Sequence, residues 1–174
     1  MIILSWTFHF FNLKTDNMKI LLITVLSLVF FNFYAQDANK IVSYWLTQEG
    51  DSQVKIFKAT NGKYYGKIVW LDEPNEEDGA PKIDDKNPDE KLQTRPIMDL
   101  RLLNSFLYDE KNDEWNQGTI YDPKSGNTYK CHMWFEDDEN MLHVKGYIGI
   151  SVIGRKVEWT RESEMREMTE QNDE

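Results

Sequence analysis

Cysteine is almost absent from this chain, and its scarcity settles two points. Cys131 is the only cysteine among 174 residues, so no disulfide can form within one chain. No cysteine stands directly after the apolar N-terminal segment, which excludes lipid attachment at that site. A lone thiol is more often a small buried apolar residue than a reactive group. We therefore expect Cys131 to lie in the core.

Positive charge is also scarce. The chain has 20 Lys and Arg against 30 Asp and Glu, which gives a formal net charge of −10 at pH 7. A strongly acidic protein is repelled by phosphate backbones and by anionic lipid. We therefore expect no nucleic-acid partner.

The motifs of the common catalytic sites are missing. The sequence contains no H-E-x-x-H, no G-x-S-x-G and no phosphate-binding glycine loop. Carboxylates are abundant, so a glycosidase-like pair of acids stays open, but abundance singles out no particular pair. We assign no catalytic residue, no metal ligand and no cofactor, and we favour a protein that is not an enzyme.

Two patterns resemble parts of metal sites. His132 and His143 would share one face of paired strands, but zinc normally takes three or four protein ligands. Asp85-x-Asn87-x-Asp89 copies the first ligand positions of a calcium loop, but the required Gly and Glu do not follow. We interpret the histidines as polar outward-facing residues and the acidic pattern as turn chemistry. A looser oxygen-lined cation site is the alternative.

Long apolar runs are confined to the N-terminal region. Met18 and Lys19 precede an apolar run over 20–31, and Ala35 then precedes polar residues. This order is typical of a secretory signal peptide, and the run is shorter than the span of about 20 residues that crosses a membrane. We expect upstream residues and a signal peptide over 1–35, with Met18 as the true start. The mature protein would be periplasmic or extracellular, without stable membrane insertion. An uncleaved anchor is the alternative.

The rest of the chain reads as short β-strands separated by turn signals. Asn61-Gly62 between two β-rich runs is a strong hairpin signal, because both residues tolerate positive φ. The stretch 97–106 also fits one face of a helix, but we favour a strand. We predict strands over 41–46, 54–58, 64–71, 97–106, 115–121, 128–135 and 142–148, and a last one around 157–159.

Two charged segments break this rhythm. Residues 72–95 are acidic and carry Pro and Gly, and a connection of this length is either functional or disordered. We expect it to be poorly protected. Residues 162–174 are charged without a β pattern, so we expect a solvated tail. The prediction is one all-β domain over 36–161, a single antiparallel up-and-down barrel of about eight strands.

Several stretches resemble an uncharacterised family of exported bacterial proteins, domain of unknown function 2147. The carriers are Gly62–Ile68, Asp85–Asp89, Gly118–Tyr129, Gly146–Gly149, Gly154-Arg155 and Trp159–Arg161. The resemblance implies a lipocalin-like barrel and no established activity. This chain departs from the family at Ser43 and Asp99, where the family usually has Gly.

Barrel closure can be assigned to two residues. Proteins that resemble lipocalins place a Trp of the first strand beneath an Arg of the last strand, and the matching positions are Trp45 and Arg161. An indole plugs the barrel end, and a guanidinium can lie flat on it while donating several hydrogen bonds. We expect Arg161 to stack on Trp45 and to bond backbone oxygens near the start of the domain.

Aromatic residues are the informative excess. An eight-stranded barrel holds packed side chains or one small ligand, and aromatic walls with a few polar groups are typical of ligand sites. Our leading hypothesis is a binding barrel that holds a small, partly apolar molecule at its open end, under the 72–95 loop. The alternatives are an envelope structural or interaction protein with a filled barrel, and a carboxylate-dependent hydrolase. The sequence leaves the ligand and the oligomeric state open. The predicted ligand-binding residues are Tyr65, Trp70, Trp115, Tyr121 and Tyr147.

Overall fold

The computed structural model describes residues 38–149 and 154–168. The chain divides into a unit over Met1–Asn39 and a unit over Lys40–Glu174, and every described strand belongs to the second. The predicted signal peptide lies outside the described residues. The strands are β1 (Tyr44–Leu46), β2 (Ser52–Lys58), β3 (Tyr64–Leu71), β4 (Arg101–Asp109), β5 (Glu114–Asp122), β6 (Asn127–Phe135), β7 (Met141–Tyr147) and β8 (Gly154–Glu162).

The strands form one closed antiparallel barrel in sequence order, which confirms the predicted fold class. Each strand pairs with the next along the chain, and β1 also pairs with β8 through Trp45 and Arg161. Closure leaves no strand with an unpaired edge among these eight, which removes the template on which further chains could aggregate. No helix in the described part of the chain has the length and hydropathy of a membrane span.

Alternation along the strands places the core. In β3, Tyr64, Gly66 and Ile68 are buried while Tyr65 and Lys67 are partly exposed, as expected when successive side chains point to opposite faces. In β6, Cys131 is fully buried, as predicted. Burial raises the pKa of its thiol to about 12, so it carries no thiolate at neutral pH.

Large aromatic side chains pack together at the end of the barrel where the domain begins. Trp115 is fully buried, with its ring centroid 6.2 Å from that of Tyr64 and 5.7 Å from that of Phe135. Trp45 lies 5.8 Å from Phe135 on the other side. Edge-on and tilted contacts at these distances are favourable aromatic geometries. This level of the barrel is therefore filled by side chains.

Irregular pairing bends the wall formed by β4 and β5. Ser105 and Gln117 both have positive φ (63° and 60°), and the β5–β6 register shifts between Trp115 and Gly118. Gly118 lies so close to the Phe106 ring that a Cβ there would collide with it. A bulge re-aims the side chains that follow it, which matters for the site described below.

Residues 72–100 contain short elements of regular structure between β3 and β4. Isolated bridges join Asn75 to Pro81 and Ile83 to Pro96, and a short 3₁₀ helix covers Glu90–Leu92. Strand β4 then begins only at Arg101, so the predicted strand over 97–106 is correct in its second half. Asp99 has a φ of 63°, which explains why glycine suits this position.

The described part of the predicted tail is mostly exposed, but it makes specific contacts with the barrel wall. Strand β8 continues to Glu162, and the chain then crosses β2 to reach β3. Gln53 donates to the Glu164 carbonyl (2.9 Å), and the Trp70 indole donates to the Glu167 carbonyl (3.0 Å). Arg166 covers the Trp70 ring with its guanidinium carbon 4.8 Å from the centroid. These contacts cover the buried Gln53 and Trp70 side chains and stabilise the 164–167 segment against β2 and β3.

Candidate functional site

A buried polar network fixes the second half of the long connection to the barrel. Asp84 is fully buried, and its carboxylate accepts from the Tyr121 hydroxyl (2.5 Å), from Asn87 Nδ2 (2.8 Å) and from Arg95 Nε (2.9 Å). Arg95 Nη2 adds an ion pair at 2.7 Å. A buried carboxylate is tolerated only when it is paired and hydrogen-bonded, and Asp84 meets both conditions.

The network is continued by local turn chemistry. Asn87 Oδ1 accepts from the Asp89 amide (2.9 Å), and Asp89 Oδ1 in turn accepts from the Lys91 amide (3.1 Å). Two of the three side chains of the Asp85-x-Asn87-x-Asp89 pattern thus cap backbone amides, whereas Asp85 accepts from the Lys86 ammonium (2.7 Å). In the described residues, no group of three or more His, Cys, Asp and Glu is arranged to hold a metal ion.

The β5–β6 hairpin provides the docking surface for this segment. Gly126 has a φ of +72°, and a Cβ on it would collide with the Lys86 carbonyl. Only glycine therefore permits both the hairpin turn and the close approach of the 84–95 segment. Asn87 reaches the Tyr121 hydroxyl at 3.2 Å beside this contact.

A cleft of about 450 Å³ opens between this segment and the barrel wall. The volume falls within the range of about 300–1,000 Å³ that is common for small-ligand pockets. Most of the lining residues are polar, and none of the seven is Asp or Glu. They are Asn87, Pro88, Arg95, Arg101, Asn104, Tyr121 and Thr128.

The cleft lies on the outer face of the wall. Tyr121 pairs with Thr128, and Gly118 pairs with Cys131, three residues further from the hairpin on each strand. Because side chains alternate, Tyr121 and Thr128 point away from the face that holds Gly118 and Cys131. Those two face the core, since Cys131 is fully buried and Gly118 touches the Phe106 ring. The cleft is thus bounded by the outside of the barrel and by the 84–95 segment.

The polar groups of the cleft divide into two sets. Asn87, Arg95 and Tyr121 are engaged with Asp84. Arg101 lies over the Tyr65 ring, with its guanidinium carbon 5.2 Å from the centroid, and no carboxylate of the described residues pairs with it. The side chains of Asn104 and Thr128 likewise bond to no described residue. One side of the cleft is therefore structural, and the other has donors to offer.

Burial raises the pKa of Tyr121 to about 12, and the hydrogen bond to Asp84 acts in the same direction. The neutral phenol is favoured because an ionised oxygen beside the Asp84 carboxylate would bring two negative charges together in a poorly solvated place. Tyr121 therefore stays a hydrogen-bond donor throughout the physiological pH range.

Comparison with known proteins places this chain in a family. The family model of uncharacterized proteins conserved in bacteria, DUF2147, matches residues 43–161. The chain belongs to the DUF2147 family. A solved structure similar to it is protein HP1028 from the human pathogen Helicobacter pylori, described as belonging to the lipocalin family. It has a TM-score of 0.59 and 25% sequence identity, covering 71% of this chain and 83% of that one. The search of curated proteins found no match.

In this DUF2147 chain, Arg161 lies on the closing tryptophan. Its guanidinium carbon is 4.5 Å from the centroid of the Trp45 ring, which is fully buried. Nη2 donates to the Lys40 carbonyl (2.7 Å) and Nε to the Glu139 carbonyl (3.0 Å). Ser43, where the family usually has Gly, places its hydroxyl 3.2 Å from the Glu162 carbonyl. The side chain therefore fits without opening the β1–β8 junction.

The structure does not bring the five predicted ligand-binding residues together. Tyr121 alone lines the cleft. Tyr65 supports Arg101 from the neighbouring strand, and Trp115 is enclosed in the aromatic core. Trp70 lies beneath Arg166 of the C-terminal segment. Tyr147 is on the outer face near His132, with ring centroids 5.7 Å apart.

The residues that sequence reasoning missed are Asp84, Arg95, Arg101 and Asn104. The resemblance to the family covers Asp85–Asp89 and therefore pointed to the neighbourhood of Asp84. Nothing in the sequence joined it to Tyr121, which is 37 residues away. The polar character of the cleft follows from that long-range pairing.

The two histidines lie on the outer face and both contact the Trp134 ring, and His143 is buried. His143 is only 4% exposed and stacks on Trp134 at 5.3 Å. Its two ring nitrogens are each 3.5 Å from a glutamate, Nε2 from Glu136 and Nδ1 from Glu158. His143 is thus enclosed by acidic and aromatic side chains of its own wall.

Proposed function

We propose that this chain is an exported, non-enzymatic barrel that binds a small molecule in the cleft between the 84–95 segment and strands β4, β5 and β6. The observation that carries the proposal is a cleft of about 450 Å³ in which the side chains of Arg101, Asn104 and Thr128 make no hydrogen bond or ion pair with any described residue. Eight-stranded barrels of the lipocalin type can hold one small ligand in their interior, so the proposed cleft differs in position from the usual site of such barrels.

The site differs in one respect from the one expected at the sequence level. The hypothesis placed a partly apolar ligand at the open end of the barrel, under the 72–95 loop. The proposed cleft is bounded by the 84–95 segment and the outer face of the wall, and its lining is mostly polar. We therefore propose a polar ligand that leaves the packed aromatic core undisturbed.

Native mass spectrometry of the protein purified from its own host tests this function. We expect a retained mass that disappears in Thr128→Trp, since an indole at this exposed position would occupy the cleft. Lys111→Trp is a matched control, because residue 111 is an exposed position in the β4–β5 turn and lines no part of the cleft. A mass retained equally by both variants would place the ligand elsewhere.

A second candidate is an envelope interaction protein whose barrel serves only as a scaffold. The filled aromatic layer favours it, and so do exposed apolar side chains such as Ile148 (76% exposed) and Met141 (39%). Exposed apolar patches mark interaction sites when they are contiguous. Under this alternative, Thr128→Trp would leave every bound species unchanged.

A further inference from the structure

The charges that line the cleft indicate the chemical class of its ligand. This inference rests on the proposed binding function. Arg95 and Arg101 are the two cations of its lining. The charge of Arg95 is offset by Asp84, whose carboxylate is 2.7 Å from its Nη2. Arg101 keeps an uncompensated charge. The lining and its ion partner together therefore carry one positive charge.

Arg101 is also held in an orientation suited to recognition. Its guanidinium lies 5.2 Å from the centroid of Tyr65, and the Tyr65 hydroxyl is fixed by Asn61 (2.9 Å) and Ser105 (3.4 Å). A guanidinium that stacks on a ring still presents its N–H fork at the rim. That fork matches a carboxylate, which accepts two parallel hydrogen bonds. Tyr65 is thus a positioning residue for Arg101.

Two further groups surround the same space. Asn104 offers an amide and Thr128 offers a hydroxyl, and neither bonds to a described residue. Tyr121 and Pro88 supply ring and apolar surface to the opposite side. This combination suits one anionic head joined to a flat or partly apolar body.

The number of charges decides between two anion classes. A phosphate monoester carries close to two negative charges at neutral pH, whereas a carboxylate carries one. The cleft offers one uncompensated cation in a chain of net charge −10, and such a field repels a dianion more strongly than a monoanion. We propose that the ligand of this cleft is a small organic monocarboxylate bound by Arg101, with Asn104 and Thr128 as additional polar contacts.

Three probes of similar shape test this class: benzoate, benzamide and phenyl phosphate. The readout is the shift of the amide resonances of residues 101, 104 and 128 in ¹⁵N-labelled protein during titration. We expect benzoate to bind about tenfold or more tightly than benzamide, since it gains a charge-assisted pair of hydrogen bonds. We expect phenyl phosphate to bind more weakly than benzoate.

Variants locate the effect. Arg101→Gln should abolish the preference for benzoate, and Arg101→Lys should keep only part of it because the fork is lost. Arg155→Gln is the matched control, since Arg155 is exposed and pairs with Glu49 outside the cleft. It should behave as the unmodified protein does.

The other outcomes separate the two proposals. Equal binding of benzoate and benzamide at the cleft would overturn the carboxylate class and leave small-molecule binding intact. If phenyl phosphate binds more tightly than benzoate, the preferred ligand is a dianion and the monocarboxylate proposal is wrong. If no probe moves the cleft resonances, the monocarboxylate inference is wrong, and native mass spectrometry decides separately on the binding function.

Discussion

At the scale of single residues, Arg161 combines a cation–π contact with two hydrogen bonds to backbone oxygens. Lysine would keep the charge but lose the planar fork. We expect Arg161→Lys to lower the free energy of unfolding by about 1–2 kcal/mol. Denaturant titration monitored by tryptophan fluorescence measures this.

The control for that variant has to be chosen from the structure. Arg166 belongs to the segment that the sequence predicts to be a solvated tail, but it lies over the Trp70 ring and pairs with Glu162 at 2.7 Å. Arg155 is the better control, because its side chain is 77% exposed and its ion pair with Glu49 is at the surface. Equal losses in Arg161→Lys and Arg155→Lys would mean that closure depends on other contacts.

Tyr121 gives a second prediction at this scale, on alkaline behaviour. Its folded-state pKa of about 12 lies above the ordinary value of 10, so the stability it contributes is complete below pH 10 and is lost as the pH rises towards 12. Tyr65 behaves oppositely, since hydrogen bonds from Ser105 and then Asn61 lower its pKa. In an ultraviolet titration of tyrosinate, Tyr121 should be among the last tyrosines to ionise.

The variant Tyr121→Phe isolates this group. It should remove the last-ionising component and lower the free energy of unfolding by about 1–3 kcal/mol, because the buried Asp84 carboxylate loses a donor. Tyr129→Phe is the matched control, since its hydroxyl bonds to no described residue. A late-ionising component that persists in Tyr121→Phe would assign it to another tyrosine.

At the scale of elements, the 72–95 connection is two segments with different expected dynamics. Residues 75–80 are exposed, whereas the Asp84 and Ile97 amides donate to the Arg95 and Lys82 carbonyls, each at 2.9 Å. We expect fast hydrogen exchange over 75–80 and slower exchange at 84 and 97, because exchange follows local opening. Hydrogen–deuterium exchange, followed by mass spectrometry on peptides from each half, measures this difference.

The same experiment has an internal control. Tyr121→Phe should accelerate exchange over 84–97 and leave 75–80 unchanged, because Tyr121 bonds to Asp84 in the 84–97 segment. Uniformly fast exchange over 72–95 would instead agree with the poor protection that the sequence predicts for the whole connection. Protection that appears only on addition of calcium would revive a cation site around Asp85–Asp89.

How far the sequence predicts each element depends on the range of the interactions that form it. The strands were predictable because alternation is local, and 64–71 was predicted with the bounds that the structure gives. The closing pair of Trp45 and Arg161 was placed through the family resemblance. The cleft could not be predicted, because Asp84, Arg95 and Tyr121 come together only through the fold. The exposure of Arg101 becomes visible only once the β4 register is known.

At the scale of the whole molecule, export remains the main prediction outside the described residues. We expect N-terminal sequencing of the envelope form to begin close to Gln36, because Ala35 supplies the small residue that precedes a signal-peptidase cut. Alteration of Ala35 to a bulky residue should leave a longer species in the membrane fraction. A mature protein that begins at Met18 or earlier would contradict the prediction.

The pairing of Tyr44 with Glu162 has a mechanical consequence. Because these two residues are neighbours, the domain begins and β8 ends at the same end of the barrel. A force that pulls residues 40 and 163 apart therefore loads the β1–β8 hydrogen bonds one after another, as a zipper opens, instead of shearing them all together. Strand β1 has only three residues, Tyr44–Leu46, so few hydrogen bonds resist the first step.

Resistance to force is set by the unfolding rate along the direction of pull and not by equilibrium stability. The closed barrel can thus be stable to heat and denaturant while yielding readily to tension across its ends.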